Sequence, residues 1–183
     1  NQFDEFGNPT WHYNVTARAI EEVYNKLKGP KSQLAAYVSA TGSAGTIGAG
    51  DYLRTIAPHI KVVASEALQC PTLFNNGFGG HRIEGIGDKH VPWVHNVKNT
   101  DVVTAIDDED CMRVMRLFNE KDGQEYLKKS GVPQETIDQL NLLGISGIGN
   151  MLSAIKTAKH FEMTSDDIIF SLATDSMEMY GSR

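Results

Sequence analysis

A chain of 183 residues, 40% hydrophobic and 22% charged, suits one globular domain with a substantial core and is short for two. A formal net charge of -6 and a pI near 5.5 leave no basic stripe to meet a phosphodiester backbone, so nucleic acid is not expected as a partner. No apolar run reaches membrane-spanning length, and Cys70 and Cys111 lack framework spacing, so no membrane association is expected and the thiols read as reduced, in a cytoplasmic protein.

From Asn1 to Trp11 the chain is polar and aromatic, and Gly7-Asn8-Pro9 predicts a turn. Thr16 to Leu27 carries Ala17, Ile20, Val23, Tyr24 and Leu27 at helical spacing, and Gly29-Pro30 ends that helix. The apolar run Leu34 to Val38 predicts a strand, and V-S-A-T-G-S-A-G-T-I-G-A-G from Val38 to Gly50 is a glycine-rich turn. A helix over Ile47 to Ile56 follows, stopped by Pro58, and Lys61 to Ser65 is a second strand in parallel. Ala67 to Asn99 is crowded with glycines and aromatics and has little periodicity; irregular segments of that length inside compact domains are usually functional. Asp101 to Ile106 predicts a strand, and Asp107-Asp108-Glu109-Asp110 the acidic first turn of a helix through Met112, Val114, Met115 and Phe118. Two short surface helices fill Asn119 to Asn141. Gly144 to Gly149 is another glycine-rich turn, opening a helix with Met151, Leu152, Ile155 and Ala158, and Ile168 to Ala173 reads as a final buried strand.

The turn after the first strand carries the chemistry. Where a strand ends and a helix begins, backbone N–H groups lie unpaired and the helix dipole is positive, which favours a phosphate. Gly42, Ala44 and Gly45 keep bulk away from such an anion, and Ser43 and Thr46 each offer a hydroxyl. The plainer alternative is a helix start that needs glycines for packing. No Gly-Lys-Ser/Thr closes the loop, so it is not a Walker loop. A dinucleotide fingerprint starts at Gly48 but has Leu53 where its third glycine belongs. Glu66 stands about where a ribose-binding acid would be, so a nicotinamide dinucleotide is the runner-up ligand. His81, His90 and His95 fit no zinc spacing, the acidic run at 107–110 reads as a helix cap, and the G-x-S-x-G of hydrolases is absent around Ser146. Met177, Met179 and Tyr180 read as packing residues. These patterns give an α/β domain with one phosphate cradle and two further glycine-rich turns.

Four segments, in order, resemble the cysteine synthase / cystathionine β-synthase family, the fold-type II pyridoxal-phosphate enzymes. Gly42-Ser43-Ala44-Gly45-Thr46 is similar to that family's G-T-G-G-T loop, and His81 to Gly87 to its H-K-I-Q-G-I-G segment. Leu143-Gly144-Ile145-Ser146-Gly147 is similar to its G-I-S-S-G turn, and Gln2-Phe3 with Asn8-Pro9 and His12 to its Q-F-x-N-P-x-N-x-x-x-H stretch. The resemblance implies a three-layer α/β fold with a mostly parallel sheet flanked by helices. It implies pyridoxal 5'-phosphate as cofactor, and β-elimination or β-replacement on a β-substituted alanine, a small amino-acid substrate. Gly42, Ser43, Ala44, Gly45 and Thr46 would hold the phosphate, Ser146 would meet the pyridine nitrogen, Gly85 would flank the ring, and Gln2 would lie near the substrate carboxylate. The tail T-D-S-M-E-M-Y-G-S-R departs from the family's P-S-x-G-E-R-Y. No lysine here sits in the context of the family's Schiff-base lysine, so no catalytic residue is assigned. Residues 1–183 are then expected to be a single cofactor-binding domain without the N-terminal lysine-bearing portion, completed by a homodimer or companion chain. A non-catalytic module that keeps the fold is the alternative.

Overall fold

Residues 1–181 are described in a computed structural model of the chain. Helix α1 (Gly7–Trp11) runs through one π-helical turn, His12–Thr16, into α2 (Ala17–Leu27). The turn expected at Gly7-Asn8-Pro9 is therefore the start of a helix. Pro9 falls in the first turn, where an N–H has no intrahelical acceptor and its loss costs little.

Strand β1 (Gln33–Ala40) is followed by a loop, a single 3-10 turn at Thr46–Gly48 and α3 (Ala49–Ile56). Strand β2 (Lys61–Ala67) pairs with β1 in parallel, from Ala36 opposite Lys61 to Ala40 opposite Ser65. The segment after β2 is irregular apart from the short α4 (Thr72–Asn75) and a 3-10 turn at Val97–Asn99. Strand β3 (Val102–Ile106) then adds to the far side of β2. Helices α5 (Asp108–Asn119), α6 (Lys121–Lys129), α7 (Gln134–Ile137) and α8 (Ile145–His160) lead to β4 (Asp167–Ser171). Strand β4 returns beside β1, again in parallel, completing a sheet of order β3-β2-β1-β4.

Period-two alternation sends side chains of one strand to opposite faces, and both faces are covered. Val62, Ala64 and Val103 join a cluster with Ala17, Ile20, Tyr52 and Leu53 of α2 and α3. Ala67 and Ile106 join a second cluster with Cys111, Met112 and Phe118 of α5 and Ile145 and Ile148 of α8. The three-layer, parallel α/β architecture follows from that division. Strand β1, paired on both sides, is buried from Leu34 to Val38, whereas β4 is half-buried along its length. The expectation of a buried final strand is corrected by its edge position, which its apolar sequence does not reveal. No helix among the described residues is long and apolar enough to cross a membrane.

Candidate functional site

The chain order reverses at β1: β2 and β3 lie to one side and β4 to the other. In open parallel sheets the space beyond the carboxyl ends of strands at such a point is left uncovered and receives ligands. Here Ser39 and Ala40 at the end of β1 and Leu172 and Thr174 beyond β4 border a cavity of about 240 Å³. All eight residues singled out from sequence, Gln2, Gly42, Ser43, Ala44, Gly45, Thr46, Gly85 and Ser146, line it. They come from four segments far apart in the chain. Asn8, His12, Asn150 and Thr174 also line it and were not assigned from sequence.

At one end is the loop from Gly42 to Thr46. The expected helix start at Ile47 lies within the 3-10 turn, so α3 itself begins only at Ala49. The Thr46 hydroxyl lies 2.7 Å from Ser39 Oγ, and Tyr37 donates its phenol proton to the Thr46 carbonyl at 2.7 Å. Strand β1 thereby fixes the orientation of Thr46. Ala44 adopts a left-handed backbone (φ 58°), which costs an L-residue about 1–2 kcal/mol, and its side chain packs in the core. Asn8 Nδ2 donates to Ser43 Oγ at 3.1 Å and to the Gln2 carbonyl at 2.9 Å, tying the N-terminal segment to the loop. That approach requires glycine at 45: a Cβ there would lie 2.1 Å from Asn8 Oδ1.

At the other end is the first turn of α8. Ser146 Oγ lies 3.0 Å from Thr174 Oγ1 and donates to Asp175 Oδ1 at 3.4 Å. The other oxygen of Asp175 accepts from the Tyr180 hydroxyl, and its backbone carbonyl accepts from Gly144 N–H at 3.0 Å. Burial, and then the carboxylate it donates to, push the Tyr180 phenol up to about 12. Gly85 faces Ser146 with φ +85°, a conformation that L side chains rarely adopt. Asn150 follows Ser146 by four residues and so shares its helix face. Its Nδ2 donates to the Leu172 carbonyl at 3.0 Å, while Oδ1 is buried without a partner.

His12, at the start of the π-helical turn, lies across the cavity with Nδ1 2.8 Å from Thr16 Oγ1; burial holds it below the usual imidazole range. Glu66, placed from sequence where a ribose-binding acid would be, is 2% exposed and otherwise employed. Its two oxygens accept the N–H groups of Leu73 and Phe74, each at 2.9 Å, at the start of α4. Glu66 therefore fixes the irregular segment at the start of α4. His81, His90 and His95 do not converge, and no group of three or more candidate ligands is present among the described residues. Both cysteines are free and buried.

No family model matches the chain. Cysteine synthase B of Campylobacter jejuni is 28% identical over 181 residues, covering 98% of this chain and 52% of that protein. The relatives that this chain matches include cysteine synthases, a cystathionine beta-synthase and an O-ureido-L-serine synthase. The cystathionine beta-synthase of Saccharomyces cerevisiae is 27% identical over 187 residues, 98% of this chain and 33% of that protein. The solved structure of O-acetyl serine sulfhydrylase isoform 3 from Entamoeba histolytica superposes with a TM-score of 0.76 at 28% identity, covering all of this chain and 48% of that one. The chain thus spans about half the length of the cysteine synthases it matches.

Proposed function

We propose that residues 1–183 form the cofactor-binding domain of a pyridoxal 5'-phosphate-dependent enzyme of the cysteine synthase type, acting on a β-substituted alanine. The observation that carries this reading is the convergence of the four family-like segments on one cavity with chemically distinct ends. The residues fit the cofactor. Gly42 to Thr46 supply hydroxyls and a backbone free of bulk for a phosphate, and Ser146 supplies a hydroxyl for the pyridine nitrogen at the far end. When bound, pyridoxal phosphate supplies an electron sink that eases loss of the α-proton and of a β-substituent from an amino acid.

The chain's own residues bind and orient. Asn8 keeps Ser43 at the cradle and Gln2 at the rim, where its amide can meet a substrate carboxylate. Gly85 leaves the ring face open opposite Ser146. None of the side chains lining the cavity belongs to a lysine, so the family's Schiff-base lysine is not among them. That observation favours a second reading, in which the domain holds the cofactor without turning over substrate by itself. Exposed Phe6 and Trp93, the latter 87% exposed, would suit a homodimer or companion chain, whose groups would complete the site.

Calorimetric titration with pyridoxal 5'-phosphate and, separately, with NAD tests the proposal. The expected result is saturable one-to-one binding of pyridoxal phosphate that Gly45→Val abolishes, and no binding of NAD. Binding of NAD alone would overturn it.

A further inference from the structure

A second, smaller cavity of about 10 Å³ shares Gly42 with the first and has the room that one water molecule needs. Thr41, Glu66, Asp88 and His95 are the polar residues around it that matter here. His95 is 8% exposed; its Nε2 lies 2.9 Å from Thr100 Oγ1, while Nδ1 is buried without a partner. Buried polar atoms are nearly always hydrogen-bonded, because an orphan forfeits its bond to water and gains nothing in return. His95 also borders the open groove beside Trp93, yet Nδ1 is closed off from solvent, which leaves the small cavity as the space it meets. Glu66 borders the same space. Each of its oxygens accepts one N–H at 2.9 Å, from Leu73 or Phe74, and a carboxylate oxygen has a second lone pair. Thr41 spends its hydroxyl proton on the Ser65 carbonyl at 3.1 Å, so its oxygen too can accept.

We propose that this cavity is a site for one ordered water, which bridges His95 Nδ1 to Glu66 and so ties the far end of the irregular segment to strand β2, where Glu66 already holds its start. Water suits the site because it both donates and accepts. With the imidazole proton on Nε2, the water donates to Nδ1 and to Glu66. With the proton on Nδ1, the water accepts there and donates to Glu66 and Thr41. Either tautomer is thus satisfied. An anion would face Glu66 and Asp88 with no lysine or arginine around the cavity, and no group of three or more candidate metal ligands is present among the described residues. Between the two anchors lie Gly85, which lines the larger cavity opposite Ser146, and Gly87, whose N–H donates to the Thr41 carbonyl at 2.7 Å. The bridge therefore holds the span that brings them to the end of β1. Neither Glu66 nor His95 lines the larger cavity, so the water site stands whether or not a cofactor binds there.

Oxygen-17 relaxation dispersion of water, recorded on the whole chain at pH 7.5, counts the waters held long enough to be part of the structure. Burial keeps His95 neutral at that pH. His95→Asn places an amide near the position of Nδ1 and His95→Gln near that of Nε2, so the pair separates the water contact from the bond to Thr100. Wild type and His95→Asn should each show one long-lived water more than His95→Gln. The amides of Leu73, Phe74 and Gly87 should exchange about tenfold faster in His95→Gln than in wild type. Equal water counts in wild type and His95→Gln, or loss of the water in His95→Asn, overturns the proposal. Should a variant fail to fold, wild type alone decides. Rotating-frame Overhauser transfer from water to the Leu73 and Phe74 amides, with the sign of a bound water rather than of proton exchange, is the expected result, and its absence overturns the site.

Discussion

Gly45→Ala is a demanding probe of the cradle because the obstacle to it is one side chain. The backbone at 45 (φ −71°) suits any residue, so alanine there should stabilise by about 0.4–1 kcal/mol through the unfolded chain. The new methyl, however, would meet Asn8 Oδ1 at 2.1 Å, Cγ at 2.6 Å and Nδ2 at 2.7 Å. Asn8 must rotate away and give up its bonds to Ser43 and Gln2, each worth about 0.5–1.5 kcal/mol. The net expectation is a loss of up to about 2.6 kcal/mol in the wild-type background and a gain of about 0.4–1 kcal/mol in Asn8→Ala, where the obstructing atoms are gone. Urea unfolding followed by circular dichroism, for the four proteins of this cycle, measures the coupling. Equal cost of Gly45→Ala in both backgrounds would refute the contact between the N-terminal helix and the loop as the reason for glycine at 45.

Thr46→Ala removes the hydroxyl that β1 holds at the cradle and should weaken pyridoxal phosphate binding by about 1.5–3 kcal/mol, beside a loss of about 0.5–1.5 kcal/mol of fold stability with the bond to Ser39; calorimetry beside a urea melt separates the two. Burial holds His12 and His95 below their ordinary value of 6.5. The unfolded chain then takes up protons near pH 6.5 while the folded one does not, so their contribution is present above that pH and is lost as pH falls below it. The urea midpoint should drop between pH 7.5 and pH 5.5, with a shallower drop in His95→Gln. Glu66, which burial holds above the usual carboxylate range, works in the opposite sense, so the comparison with His95→Gln carries the test; an identical slope in the two proteins would contradict it.

The parts of the site that were legible in the sequence are those whose backbone demands leave a trace. Gly45 and Gly85 stand where chain segments meet closely or φ is positive, and Ser146 sits in a similar glycine-rich turn. Asn150 and Thr174 carry no such trace: one is a polar residue in a helix, the other a residue after an edge strand. The spacing of Ser146 and Asn150 by four, on one helix face, was the available signal. Asp175 stood in a tail marked only as a departure from the family, and its contact with Ser146 spans 29 residues. The helix over Gly7 to Trp11 was hidden because Gly, Asn and Pro favour turns locally, and docking onto the cradle decides otherwise. Glu66 shows the converse, since its place in the sequence suited a ribose but two backbone N–H groups claim it.

The central claim is that one cavity holds phosphate at residues 42–46 and a pyridine ring against Ser146. Amide chemical-shift perturbation in the ¹⁵N-labelled chain, on titration with pyridoxine 5'-phosphate, tests it most directly. The account predicts that the largest shifts fall on Ser43, Gly45 and Thr46 at one end and on Gly85 and Ser146 at the other, with inorganic phosphate reproducing only the first group. Shifts centred on Glu66 and α4, or phosphate shifts at Ser146 with none at the cradle, would contradict it.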